Sequence, residues 1–194
     1  MPRPREFDTT AAVDRAVETF WQHGYDGTGM QDLCESMDLH SGSIYAAFGD
    51  KRGLFLAAMD RYIDTVSREA IERIGGAASG MAGIRAYFDH LIDAIVDGKR
   101  RWGCLITNAV TELAQRDPEI AAKIGVHLGR VDAAFQSALA RARTEGELKA
   151  GVGPGKSAYL LCLLQGLNVL AKTRPPRNVL REIVDTALAS LEKG

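Results

Sequence analysis

The 194-residue chain carries 24 Lys+Arg against 25 Asp+Glu, with 46% hydrophobic residues, 20 Gly and 6 Pro. That length holds one large domain or two small ones around a real core, and the composition excludes a disordered chain and a collagen-like repeat. Cys34, Cys104 and Cys162 are odd in number and far apart, which argues against a disulfide framework and for a reducing, cytoplasmic setting. The first residues, MPRPREFD, contain no apolar run, so no signal peptide is expected. The longest apolar stretch, Tyr159 to Ala171 with Gln165 and Asn168 inside it, is too short to span a membrane and reads as a buried helix.

Nearly every segment repeats at helical period. Val13, Ala16, Val17, Phe20 and Trp21 occupy i, i+3, i+4, i+7 and i+8, one face of a helix with Asp8 as N-cap and Gly24 as stop. Thr28-Gly-Met-Gln31 has the spacing of a capping box and opens a short helix with Met30, Leu33, Cys34 and Met37 inward. Asp38-Leu39 turns the chain, Ser41 to Phe48 forms a second short helix with Ile44, Ala47 and Phe48 inward, and Gly49-Asp50 breaks it. Asp50 caps a long helix whose apolar face is Phe55, Met59, Tyr62 and Val66. Gly75, Gly76, Ser79 and Gly80 form the one composition break and predict a domain boundary. Beyond it, Ile84, Phe88, Leu91 and Ile95 mark a helix, and 105–113 another. Asp117-Pro118-Glu119 starts a long helix carrying Ile120, Ile124, Leu128, Val131, Phe135 and Ala138. A loop at 146–155 precedes helices at about 156–173 and 177–192, split by Pro175-Pro176. No period-2 run, internal repeat or low-complexity tract occurs, so an all-α fold of about nine helices is expected.

The first 50 residues hold three helices, the last two joined by a three-residue turn. That is the helix-turn-helix arrangement, whose second helix enters a major groove of DNA. The expected division is a DNA-binding unit at 1–50, a connecting helix at 51–74 and a larger helical domain at 75–194. Ser41, Gly42, Ser43 and Tyr45 face outward on the reading helix. Small hydroxyls bond base edges, glycine admits close backbone approach, and a tyrosine hydroxyl suits a phosphate oxygen. His40 stands just before this helix, where it caps the helix or touches DNA. Lys51 adds an ammonium to the positive end of the next helix, a phosphate site. Residues 1–74 hold 8 basic and 13 acidic side chains, and 75–194 hold 16 and 12. Positive charge toward DNA must therefore be local to one face.

These segments occur in an order that carries a family resemblance. From Arg3-Pro-Arg-Glu-Phe-Asp8, through Phe20-Trp-x-x-Gly-Tyr-x-x-Thr28 and Ser43-Ile-Tyr-x-x-Phe-Gly-Asp-Lys51, to Leu54-Phe55, residues 3–62 resemble the DNA-binding domain of the tetracycline-repressor (TetR) family. Gly103-Cys-Leu-Ile106 is similar to an element in the second domain of some members. The resemblance implies a homodimeric repressor of transcription, released from palindromic operator DNA by a small-molecule effector bound in the second domain, with no cofactor and no metal. It implies phosphate contacts at Thr28 and Lys51, a backbone contact at Tyr45 and base reading at Ser41 to Ser43. It also implies a basic arm at Arg3 and Arg5, a sensible partner for a narrow minor groove. Two positions depart from the pattern: Asp38 stands where the turn often has Gly, and Cys34 where a small residue packs the helix crossing.

Residues that mix apolar bulk with a polar group on inward faces are the candidates for an effector pocket: Tyr87, Phe88, Trp102, Asn108, Phe135, Tyr159 and Gln165. The last two helices are apolar on more than one side, which predicts a second buried face. A four-helix interface between subunits is expected there, carried by Leu160, Leu164, Leu167, Leu180, Ile183, Val184 and Leu188. Three patterns point elsewhere. Ala150 to Ser157 fits a permissive phosphate loop and is the basis of the alternative, a helical nucleotide-handling enzyme, but no strand precedes it. Asp89, Asp93 and Asp97 recur at i, i+4 and i+8 and read as a solvated stripe rather than a metal site. Cys104 follows Arg100-Arg101-Trp102-Gly103 and is read as a small buried hydrophobe, with a thiol sensor as the other possibility.

Overall fold

The computed structural model describes residues 7–98 and 100–193, and the regular structure among them is helical. Helix α1 (Thr9–His23) starts where Asp8 accepts from the amides of Thr10 and Ala11 and stops at Gly24, whose φ is 76°. Helix α2 (Met30–Met37) departs from the capping-box expectation: Gly29 is its N-cap, and Asp32 rather than Gln31 reaches back to the cap amide, at 2.7 Å. A carboxylate is the stronger acceptor at a positive helix end. Asp38, at a φ of 53°, closes α2 in the left-handed conformation that Asp tolerates better than most. The reading helix α3 (Ser41–Phe48) follows, and α4 (Lys51–Tyr62) is capped by Asp50.

A π-helical turn at Ile63–Ser67 joins α4 to α5 (Arg68–Gly76), with the Arg68 amide bonded to the Ile63 carbonyl, an i to i+5 step. Then come α6 (Gly80–Val96), α7 (Leu105–Leu113), the 27-residue α8 (Pro118–Thr144), α9 (Ser157–Leu170) and α10 (Arg177–Ala189). With α4, the π turn and α5 taken as one rod, the described residues form the nine helices that the periodicity predicts. None of the described helices is long and apolar enough to cross a membrane.

Two apolar cores form, and they do not divide where the chain does. The first gathers α1 to α4 around Phe20, Leu33, Ile44 and Phe55, and it also takes in Leu105, Ile106, Ala109 and Leu113 of α7 with Ile120 and Ile124 of α8. The second gathers α5, α6, α9, α10 and the far half of α8 around Phe88, Phe135, Leu160 and Leu180. So α7 and the start of α8, beyond the composition break, pack on the N-terminal unit. Polar contacts reinforce that grip. Arg52 holds Asp117 with two bonds, at 2.6 and 2.9 Å, and Glu119 at 2.7 Å. Glu112 accepts from the amide of Tyr25 at 2.7 Å, and Arg116 pairs with Asp26.

The stripe of Asp89, Asp93 and Asp97 stays at the surface, with Asp93 and Asp97 exposed, and part of it is also a seam: Asp89 pairs with Arg181, and Asp93 with Arg177, both on α10.

Candidate nucleic-acid interface

Helix α3 presses on the core along the Ile44–Phe48 line, an i, i+4 pair, with Ile44 fully buried and Phe48 half-buried. Ala47, expected inward, lies outside, because that line alone meets α2 and α4. The outer face presents Ser41, Gly42, Tyr45, Ala46 and Ala47 to solvent, with Ser43 half-buried. A Cβ placed on Gly42 would meet nothing within 4 Å, so no atom of this chain blocks backbone approach there. His40 takes the N-cap position of α3 and is exposed, but its side chain makes no capping bond.

Thr28 and Lys51 are brought together, though not as two free phosphate ligands. Thr28 is 1% exposed, and its hydroxyl donates to the Gly24 carbonyl at 2.6 Å. The Lys51 ammonium donates to the Thr28 carbonyl at 2.6 Å and stands 4.3 Å from the centre of the Tyr25 ring. It is thus fixed beside the start of α2, where the positive helix end and a cation favour the same anion. An ammonium has three donors, so Lys51 keeps capacity for an outside acceptor. Arg3 and Arg5 lie outside the described residues.

The acidic excess of the N-terminal unit is largely consumed internally. Asp14 pairs with Arg61, Asp60 with Lys123 and Asp26 with Arg116, while Asp8, Asp32 and Asp50 accept helix-start amides. Two of those cations, Arg116 and Lys123, come from the basic C-terminal part. Charge crosses the contact between the units in both directions, since Arg52 of the N-terminal unit holds Asp117 and Glu119 in turn.

The expected effector pocket does not assemble as a set. Tyr87 and Gln165 line an enclosed cavity of about 20 Å³, together with Arg100, Cys104, Thr107 and His127. Phe88 and Phe135 are stacked on each other, centroids 5.8 Å apart, in the second core. Trp102 and Asn108 line a different, open cleft of about 300 Å³ beside Trp21 and Glu112. Tyr159 is 43% exposed on the outside of α9. Burial around Arg100 escaped the sequence reading because a single Arg in a loop carries no periodic signal. Trp21 was legible as core. Its indole bond to the Gly103 carbonyl, at 3.0 Å, joins residues 82 apart and was not.

The interface leucines are also corrected. Leu160, Leu164, Leu167, Leu180, Val184 and Leu188 are buried in the chain's own second core, and Ile183 packs against it, because α6 and α8 present the faces they cover. What α9 leaves outside is Ala158, Tyr159, Cys162, Gly166 and Val169, with Val179 nearby in sequence on α10. The 150–157 segment is a turn and a short 3₁₀ helix (Pro154–Lys156) with Ser157 buried at the start of α9. No strand of the described residues leads into it, so the nucleotide alternative lacks its scaffold.

Comparison with known proteins follows this geometry closely. Residues 12–58 match the model for bacterial regulatory proteins of the tetR family, and residues 80–188 match the tetracyclin repressor-like C-terminal domain. The chain is 33% identical over 195 residues to the uncharacterized HTH-type transcriptional regulator YezE of Bacillus subtilis (strain 168), covering 99% of this chain and 100% of that one. It is 29% identical over 188 residues to the HTH-type transcriptional repressor ComR of Escherichia coli (strain K12), covering 96% and 90%. Among solved structures, a cysteine mutant of the TetR-family regulator CifR, complexed with 26-base-pair double-strand operator DNA, matches with a TM-score of 0.86 at 30% identity over 97% of this chain and 99% of that one. A helix-turn-helix unit gripped by an all-helical second unit, matched across both parts, makes this chain a member of the TetR family of transcriptional regulators.

Proposed function

We propose that the protein is a repressor that binds palindromic operator DNA as a homodimer and is released by a small-molecule effector. The observation that carries this reading is the outer face of α3: Ser41, Gly42 and Tyr45 stand exposed beside the fixed ammonium of Lys51, with the opposite face locked into the core through Ile44. Ser41 to Ser43 read bases, while Tyr45, Lys51 and the start of α2 beside Thr28 take phosphates, with His40 at the groove edge and Arg3 and Arg5 as a minor-groove arm. Two such helices spaced by roughly 34–36 Å meet successive major grooves. ComR, a repressor, and CifR, bound to operator DNA, support the same reading.

Release is a population shift. An effector that prefers another arrangement of α7 and α8 lowers operator affinity by its differential binding energy, typically ~1–3 kcal/mol. The grip of those helices on the reading unit, through Glu112, Arg116 and Asp117, gives that shift a route to α3. The test is selection of bound sequences from random DNA, followed by sedimentation of the complex. A two-fold symmetric site bound by two chains is expected. A site without symmetry, or one chain per site, overturns the proposal.

A further inference from the structure

Arg100 lies in the loop between α6 and α7 and is only 7% exposed, yet no carboxylate pairs with it among the described residues. Its side-chain partners are neutral, a long bond of 3.4 Å to the Asn168 amide oxygen and the Cys104 sulfur beside it. The backbone holds it in place, its amide on the Ala94 carbonyl and its carbonyl accepting from Gly103. A buried guanidinium without an anion is a costly arrangement. Arg52, Arg85 and Arg181, by contrast, each pair with an acid.

The polar groups that line the cavity with Arg100 include no carboxylate among the described residues, and the Thr107 hydroxyl already donates to Gln165. The Tyr62 hydroxyl and Nδ1 of His127 are buried without a hydrogen-bond partner, and Ser67 and Thr107 line the same cavity as Arg100. Burial, with Arg130 and Arg100 nearby, holds the His127 pKa down at about 4, so the imidazole adds no charge. One fixed cation, several neutral polar groups and apolar walls from Ile71, Ile106 and Leu164 describe a site for a single negative charge on an apolar body.

We propose that this cavity is the effector site and that the effector is a monocarboxylate whose two oxygens pair with the Arg100 guanidinium. The proposal rests on the ligand-release reading and names the chemical class of the ligand. A guanidinium fork matches a carboxylate with two parallel bonds, whereas a phosphate dianion would call for a second cation that the cavity lacks. At about 20 Å³ the cavity holds roughly one water, so binding has to widen it. The wall that can yield includes Ser67, the last residue of the π turn in the rod that carries α4, and the Arg100 loop is bonded to α1 through Trp21 and Gly103. Widening therefore pushes on α4, which packs against α3, and on α1, which packs against α4.

The experiment is thermal unfolding of the full chain with a series of aliphatic monocarboxylates and benzoate, each against its neutral amide and against inorganic phosphate. At least one carboxylate is expected to raise the melting temperature saturably, its amide and phosphate to do nothing, and the same carboxylate to dissociate the operator complex. Arg100→Met is expected to abolish the shift and to raise the melting temperature of the ligand-free protein, because it removes an unpaired buried charge while keeping the stem. Arg100→Lys keeps the charge without the fork and is expected to give a weakened shift. No carboxylate-specific shift, an equal shift in Arg100→Met, or a lower melting temperature in ligand-free Arg100→Met would overturn the proposal. So would thiolate absorbance at neutral pH that vanishes in Cys104→Ala, since the thiolate would then already be the counter-ion. A carboxylate shift without operator release would leave the site standing and defeat the release reading instead.

Discussion

The ammonium of Lys51 holds the Thr28 carbonyl and lies over the Tyr25 ring, so it organises the edge of the reading unit as well as offering charge to it. Lys51→Ala should weaken binding to all DNA sequences alike and reduce the salt slope by about 1, because it removes one phosphate contact. Ser43→Ala should instead change which bases are preferred. Binding curves at several salt concentrations, on operator and on unrelated DNA, separate the two outcomes. His127 makes a second prediction at this scale. Its folded-state pKa of about 4 lies below the unfolded value of 6.5, so between those values the unfolded chain takes up a proton that the folded chain refuses. The contribution is absent above the unfolded value, and stability falls as pH drops through the window, by up to roughly 3 kcal/mol. Denaturant midpoints measured across that range should show the fall in the wild type and a shallower one in His127→Phe.

Helices in this molecule approach one another where glycine removes a side chain. A Cβ on Gly80, at the start of α6, would stand 2.3 Å from the Ala138 carbonyl oxygen and 2.4 Å from the Ala142 amide nitrogen, both backbone atoms of α8. Neither atom can move without bending α8. Gly80→Ala should therefore destabilise the protein by about 1–3 kcal/mol or more. Gly129, exposed in the middle of α8 with nothing within 4 Å of its Cβ position, is the control. Gly129→Ala should stabilise by about 0.4–1 kcal/mol through the entropy of the unfolded chain. Thermal unfolding of the pair reports opposite signs if the close crossing is what matters. The period of α6 and α8 is plain in their apolar residues, but the crossing point is not, because a glycine at a crossing and a glycine on a surface look alike in sequence.

At the scale of the whole molecule, the faces left over after the two cores close define what remains for a partner. Val169 is 54% exposed, and together with Tyr159, Cys162 and Gly166 it forms an outward stripe on α9. If this stripe is the subunit contact of the proposed homodimer, Val169→Glu should give a folded single chain that no longer binds operator DNA. Leu164→Glu should behave differently: Leu164 sits in the chain's own core, so a charge there is buried without a partner and unfolds the C-terminal unit. Sedimentation and circular dichroism on both variants distinguish a folded monomer from an unfolded chain.

The local features were legible because they are written within a turn or two of chain. Asp8, Asp50 and Pro118 mark helix starts, Gly24 and Gly49 mark stops, and the 3.6 period of Val13 to Trp21 needs no distant partner. Even there the α2 cap was decided by chemistry that spacing does not rank, a carboxylate at Asp32 over the amide of Gln31. Exposure of Ser41, Gly42 and Tyr45 followed from the same short-range pattern. What the tertiary structure alone decided is where each apolar face is spent. The leucines of α9 and α10 are covered by α6 and α8 within one chain, α7 joins the N-terminal core, and the acidic residues of the reading unit find cations such as Arg116 and Lys123 far along the sequence. An apolar stripe or a lone charge states only that a partner is required. Which partner satisfies it is settled by contacts between residues many tens of positions apart, such as the 107 that separate Arg85 from Glu192, and those depend on the geometry of every helix between them.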